Sequence, residues 1–99
     1  MWLNEKEGPI IGPFKKTIEE HESSKWLFVL DDDSILEVGL DGEYESDNGL
    51  DEDEEGYEEY FALLFVVLAV IRDNSNLHKV DELIEINYHN IPKEYKLAK

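Results

Sequence analysis

Fifteen carboxylates and no lysine or arginine fall between Asp31 and Glu59. Side chains of this kind bind a divalent cation, work in pairs as acid and base, or accept bonds from a basic partner. Each use leaves its own spacing. Asp51-Glu52-Asp53-Glu54-Glu55-Gly56 has acids at positions 1, 3 and 5 and glycine at 6 of a calcium loop, but position 12, where a bidentate Glu belongs, is Ala62. His21, His78 and His89 show neither HxH nor HxxxH spacing, so nothing points to zinc or iron. General acid–base work needs one carboxyl of a pair in a pocket that raises its pKa, whereas these acids crowd a polar stretch and stay hydrated. No Gly-rich phosphate cradle and no GxSxG elbow is present. His89, just beyond a strand-like run, is a candidate general base, but a lone histidine there is more often a hydrogen-bonded surface residue. The expectation is a protein that is not an enzyme, with no metal site and no cofactor.

Partner binding fits the pattern better. Tyr44 lies among Glu43, Glu45 and Asp47, and Tyr57 and Tyr60 flank Glu58 and Glu59. Tyrosine supplies contact area at low entropic cost, and clustered carboxylates accept bidentate bonds from arginine. The candidate partner-binding residues are Tyr44, Asp47, Asp51, Glu52, Asp53, Glu54, Glu55 and Tyr57. Packing at the edge of a sheet accounts equally well for Tyr60. Weak binding of a divalent cation by the loop carboxylates is the alternative use of the same stretch.

The chain that must position these residues has 99 residues, enough for a single domain over 1–99. Its formal charge is −16, of which all but −1 lies in residues 31–59. Nucleic acid and anionic membrane surfaces repel such a chain, so neither is expected as a direct partner. Hydrophobic residues make up 41% of it, too many for a disordered acidic tail. Cysteine is absent, which excludes disulfides. The longest apolar run, Tyr60 to Ile71, falls short of the roughly 18 residues of a spanning helix, and the first residues do not read as a secretory signal. A cytoplasmic location is expected.

Pro13 suits the first position of a short helix running to Glu22, with Phe14, Ile18 and His21 on its apolar face and Ser23-Ser24 ending it. Trp26 to Leu30 and Ile35 to Leu40 are strand-like runs joined by Asp31-Asp32-Asp33-Ser34, which predicts a hairpin. Residues 41–56 read as a long acidic loop. Tyr57 to Ile71 is read as a long central strand, although its mixture of β-branched residues and helix formers leaves a buried helix open. Leu83 to Tyr88 alternates as a half-buried strand, and 93–99 reads as a basic tail, frayed or weakly helical. The sum is an α+β domain: an antiparallel sheet of about four strands, one short N-terminal helix packed on a face, and a long acidic loop.

About one hundred residues, no cysteine, and acids interleaved with tyrosine on a small α+β scaffold resemble the small acidic bacterial immunity proteins of toxin–immunity systems. The strings Glu45-Ser46-Asp47-Asn48-Gly49-Leu50-Asp51-Glu52-Asp53, Gly56-Tyr57-Glu58-Glu59-Tyr60 and Glu85-Ile86-Asn87-Tyr88-His89-Asn90-Ile91-Pro92 are its most distinctive stretches. The resemblance implies an intracellular inhibitor of a basic toxin such as a nuclease, with the acids filling a cationic cleft and Tyr44 and Tyr57 as anchors. A DNA-mimic inhibitor of a DNA-binding protein is a variant with a different target. The partner implied is a basic protein, a cognate toxin, and the oligomeric state is left open.

Overall fold

The hairpin expected on either side of Asp31–Ser34 forms as two strands, β1 (Lys25–Val29) and β2 (Ile35–Asp47), in antiparallel register from Val29↔Ile35 to Lys25↔Gly39. Asp33 takes a left-handed φ of 68° at the turn, and Asp32 Oδ1 accepts the amide of Ser34 at 2.9 Å. Short polar residues tolerate that backbone and close such turns through their own side chains. The protein is seen here as a computed structural model that describes residues 3, 5–21 and 24–98.

The stretch read from Tyr57 to Ile71 is a strand from Glu59 onward, with Tyr57 and Glu58 still in the loop: β3 (Glu59–Arg72) pairs with β2 along its whole length and with β4 (Leu83–Ile86) on its other side. β5 (Glu94–Leu97) pairs with the free side of β1, so the strand order is β4-β3-β2-β1-β5. The domain is α+β with an antiparallel sheet of five strands, one more than the sequence suggests. Tyr95 and Leu97 align with Phe28 and Trp26 and bring apolar atoms to the open edge of β1. The tail read as frayed or weakly helical from residue 93 is therefore a strand over 94–97, because that edge offers it a ladder and a wall.

The acidic loop also shrinks. Residues 41–47 continue β2, and the register runs on from Gly42↔Leu64 to Asp47↔Glu59. Charge made this stretch read as irregular, but alternate side chains of a strand point away from the core, and an apolar partner strand supplies the hydrogen bonds. The loop proper is 48–58. Register shifts at Ile35/Leu36, Glu37/Val38 and Leu40/Gly42 bend the long hairpin as bulges do.

The helix α1 (Gly8–Glu20) starts five residues before Pro13. Pro9 takes the first-turn place predicted for Pro13, where a missing N–H needs no partner, and Pro13 lies inside the helix. Ile11, Phe14 and Ile18 form the buried stripe. His21 caps the helix, exposed, with its ring 6.2 Å from Trp26. Glu22 and Ser23, where the sequence predicts the helix end, lie outside the described residues.

That stripe meets Trp26, Phe28, Leu36, Val38, Leu63, Phe65, Val67 and Ile86. Phe28 lies 4.8 Å from Phe65 and 5.8 Å from Phe14, at the tilted angles favoured by ring quadrupoles. Each fully buried ring of this kind contributes about 1.5–3 kcal/mol. Among the described residues no helix is long and apolar enough to cross a membrane.

Candidate functional site

β1 last pairs with β2 at Gly39, and β4 last pairs with β3 at Leu63. Beyond those points the β2–β3 hairpin runs on alone, so Tyr44–Asp47 and Glu59–Ala62 form a two-stranded arm. Two-stranded ribbons are marginal by themselves. Side chains from other elements brace this one.

On the helix side, Glu7 is fully buried and its carboxylate accepts two amides, Phe61 N at 2.6 Å and Leu3 N at 2.6 Å. It meets β3 where β4 has already ended. Lys15 sits over the Phe61 ring, 5.1 Å from its centroid, and reaches Glu19 at 2.7 Å and Glu43 at 3.8 Å.

The tight turn after β4 supplies a second brace. Asn87 N bonds Asn90 Oδ1 at 2.7 Å, His89 N bonds Asn87 Oδ1 at 2.8 Å, and Asn90 Nδ2 bonds the carbonyl of Glu85 at 2.8 Å. This turn holds Tyr88 and His89 against Tyr60, with ring centroids 6.1 and 5.6 Å away. Tyr88 donates its phenol to Glu58 Oε2 at 2.5 Å, and the His89 ring bonds the other oxygen of Glu58. Tyr44 donates to Glu85, whose second oxygen accepts Asn87 Nδ2 at 2.8 Å. Tyr60 donates to the carbonyl of Asp47 at 2.7 Å.

The electrostatics follow from these bonds. Hydrogen bonds from Tyr88 and then His89 hold the Glu58 carboxyl below its ordinary value. The bond to Glu85, with burial, pushes the Tyr44 phenol up to about 12. Burial and the Glu58 bond do the same to Tyr88, and burial and Glu59 do so to Tyr57. Burial raises Tyr60 as well. At neutral pH the phenols are therefore neutral donors, and the Glu58 carboxyl that Tyr88 and His89 bond is ionised.

The loop at the end of the arm is tied to itself. Asn48 Nδ2 bonds the Gly56 carbonyl at 2.7 Å, Asp47 Oδ1 accepts Gly49 N at 2.8 Å, and Glu54 N bonds the Asp51 carbonyl at 2.9 Å. Gly49 and Gly56 have φ of +85° and +87°, where a side chain is strained. Leu50 folds back to within 3.7 Å of a Cβ position on Gly56.

Of the residues singled out from sequence, Asp51, Glu52, Asp53, Glu54 and Glu55 stand exposed together on this tip. Tyr57 is half-buried at its base, where Leu3, Glu58 and Glu59 share a shallow depression with it. Asp47 closes the loop and has one oxygen occupied. Tyr44 lies back along the arm, 41% exposed, beside the Glu85 pair. Glu58, Tyr60, Glu85, Tyr88 and His89 join the site although the spacing of acids does not single them out. Their signal was present in part: Tyr88 falls in phase with Ile84 and Ile86, so its ring had to land on the sheet. Among the described residues no group of three or more His, Asp or Glu side chains converges as a metal site, and the weak cation site gains no geometry.

Residues 10–99 match the model of a family described as Cognate immunity protein YxxD. No curated protein matches the chain, and no solved structure matches it.

Proposed function

The chain belongs to the YxxD family of cognate immunity proteins, and on that premise we propose that it neutralises a basic toxin, such as a nuclease, by occupying the toxin's cationic cleft. The tip acids Asp51, Glu52, Asp53, Glu54 and Glu55 steer the encounter, while Tyr44 and Tyr57, with Asp47 fixing the loop between them, anchor the arm. The protein acts as a stoichiometric inhibitor in the cytoplasm and performs no reaction of its own. The observation that carries this reading is the bracing of the arm. Glu7 at the start of the helix, and Tyr88 and His89 through Glu58, hold a charged, self-repelling hairpin in one shape. A preformed surface binds without a further ordering cost.

Charge gives the binding its kinetics. Fifteen acids in 31–59 raise the on-rate toward a cationic cleft, up to ~10⁸–10⁹ M⁻¹s⁻¹ at low salt. The phenols and the carboxylates of Glu58 and Glu85 supply short-range bonds suited to arginine.

A pull-down from the source cell's lysate at low salt, with elution by rising salt, tests it. Support is one basic protein held at equal stoichiometry, with its activity lost in the complex and regained when Asp51, Asp53 and Glu55 are all replaced by Lys. A set of unrelated basic proteins released by ~0.2 M salt overturns it, because screening at that strength removes contacts that are merely polyanionic.

A further inference from the structure

Away from the arm, β4 and the segment leading from it to β5 border an open pocket of about 220 Å³. Its walls include Leu30, Ile84, Ile86 and Ile91, and Asp31 and His78 also line it. The volume is below the ~300–1,000 Å³ of small-molecule sites. It is the size of one long side chain. Apolar surface left facing water around such a pocket gains stability when a partner side chain covers it. Leu30, Ile84 and Ile91 remain only half-buried around it, so no side chain among the described residues fills it.

The chemistry of the lining selects the occupant. The walls suit a methylene stem. Asp31 is exposed and heads the run Asp31-Asp32-Asp33. The chain's own Lys93 pairs with Asp33, but the run stays net negative in a protein of net charge −16, so the potential there favours a further cation at the end of that stem. His78 is half-buried with its Nδ1 held 2.9 Å from Glu82 Oε1, which fixes the ring. A fixed imidazole beside a carboxylate matches a guanidinium, which stacks on flat rings and binds carboxylates in its plane. We infer that this pocket receives an arginine side chain of the toxin, as a second contact separate from the acidic arm. The inference rests on the immunity reading for its partner, and on the pocket for its chemistry.

The test needs no toxin. The Ile methyl groups of the full chain are followed by NMR while N-acetyl-arginine N-methylamide is added, with N-acetyl-norleucine N-methylamide as the uncharged comparison. Saturable shifts at Ile84, Ile86 and Ile91, with a Kd in the range of ~1–10 mM, are expected from so small a probe. Norleucine should bind at least fivefold more weakly. Absence of saturable shifts at these methyls overturns the assignment, and equal binding of norleucine overturns its cationic part. Ile84→Trp fills the space and should abolish the shifts at Ile86 and Ile91. Should that variant misfold, Asp31→Ser leaves the core untouched and should weaken the arginine probe alone. With a captured toxin, Ile84→Trp should raise the dissociation rate tenfold or more, whereas charge changes on the tip act on the association rate. A failed pull-down overturns the function reading without touching the methyl titration, so the two failures are told apart.

Discussion

Tyr88 and Glu58, thirty residues apart in the chain, meet through a 2.5 Å hydrogen bond from the phenol to Oε2. The bond joins the turn after β4 to the last residue of the loop at the far end of the arm. It ties the part of the chain that folds by burial to the part that carries the charge.

Tyr88→Phe tests that tie. Glu58 is held below its ordinary value of 4.5 mainly by this bond. A depressed carboxyl stabilises the fold at pH above 4.5 and loses that contribution as pH falls through its folded value. The Phe variant should therefore melt lower than the wild type at pH 7, and the difference should close as the pH drops below 4.5. Thermal melts from pH 2 to 7 measure it.

Ser75→Ala does the same at the opposite end of the sheet. The Ser75 hydroxyl, 2.7 Å from Asp73 Oδ1, is the chief reason that the Asp73 carboxyl falls from 3.8 to about 2. Its stabilisation is complete above pH 3.8 and disappears between there and about pH 2. Removing the hydroxyl should lower the melting temperature at pH 6 and have almost no effect at pH 2.

Glu7→Ala should be the most damaging single change outside the aromatic core. It strands the amides of Phe61 and Leu3, each costing about 1–3 kcal/mol when left unpaired. A fall of roughly 10–20 °C in melting temperature is expected for a domain of this size. Glu7→Gln keeps an acceptor for Phe61 and should lose much less. Hydrogen exchange at Phe61 distinguishes the two.

Gly56→Ala acts on the tip alone. A φ of +87° is unfavourable for any side chain by about 1–2 kcal/mol. The core melt should change little, while tip amides lose protection and binding to the toxin weakens.

Tyr95→Ala examines the fifth strand. The Tyr95 ring meets Phe14 edge-on at 4.8 Å and covers the end of the helix stripe. Its loss should cost about 2 kcal/mol, less than the ~3–5 of a fully buried ring because Tyr95 is half-buried. Urea denaturation with an unchanged m-value would show it.

Local signals were legible. The hairpin around Asp31–Ser34 could be read because two apolar runs flank four turn-forming residues. The same holds for the Leu83 strand, whose alternation has a period of two. The buried side chains Phe14 and Ile18 were visible in helical spacing, though Pro13 drew attention to the wrong first turn. The concentration of charge and its interleaved tyrosines needed no structure at all.

Amino-acid order by itself determined the fold class, the charge of the arm and the side chains available at its tip, because propensity, patterning and charge are local quantities. Tertiary structure decided which of those side chains work together. Strand β2 runs through Asp41–Asp47 because the apolar β3 pairs with it, and β5 forms because β1 leaves an edge open. Glu58, Tyr88 and His89 come together only when the turn after β4 is folded against Tyr60. Such contacts join positions dozens of residues apart, and their energy exists only once the intervening chain has been ordered.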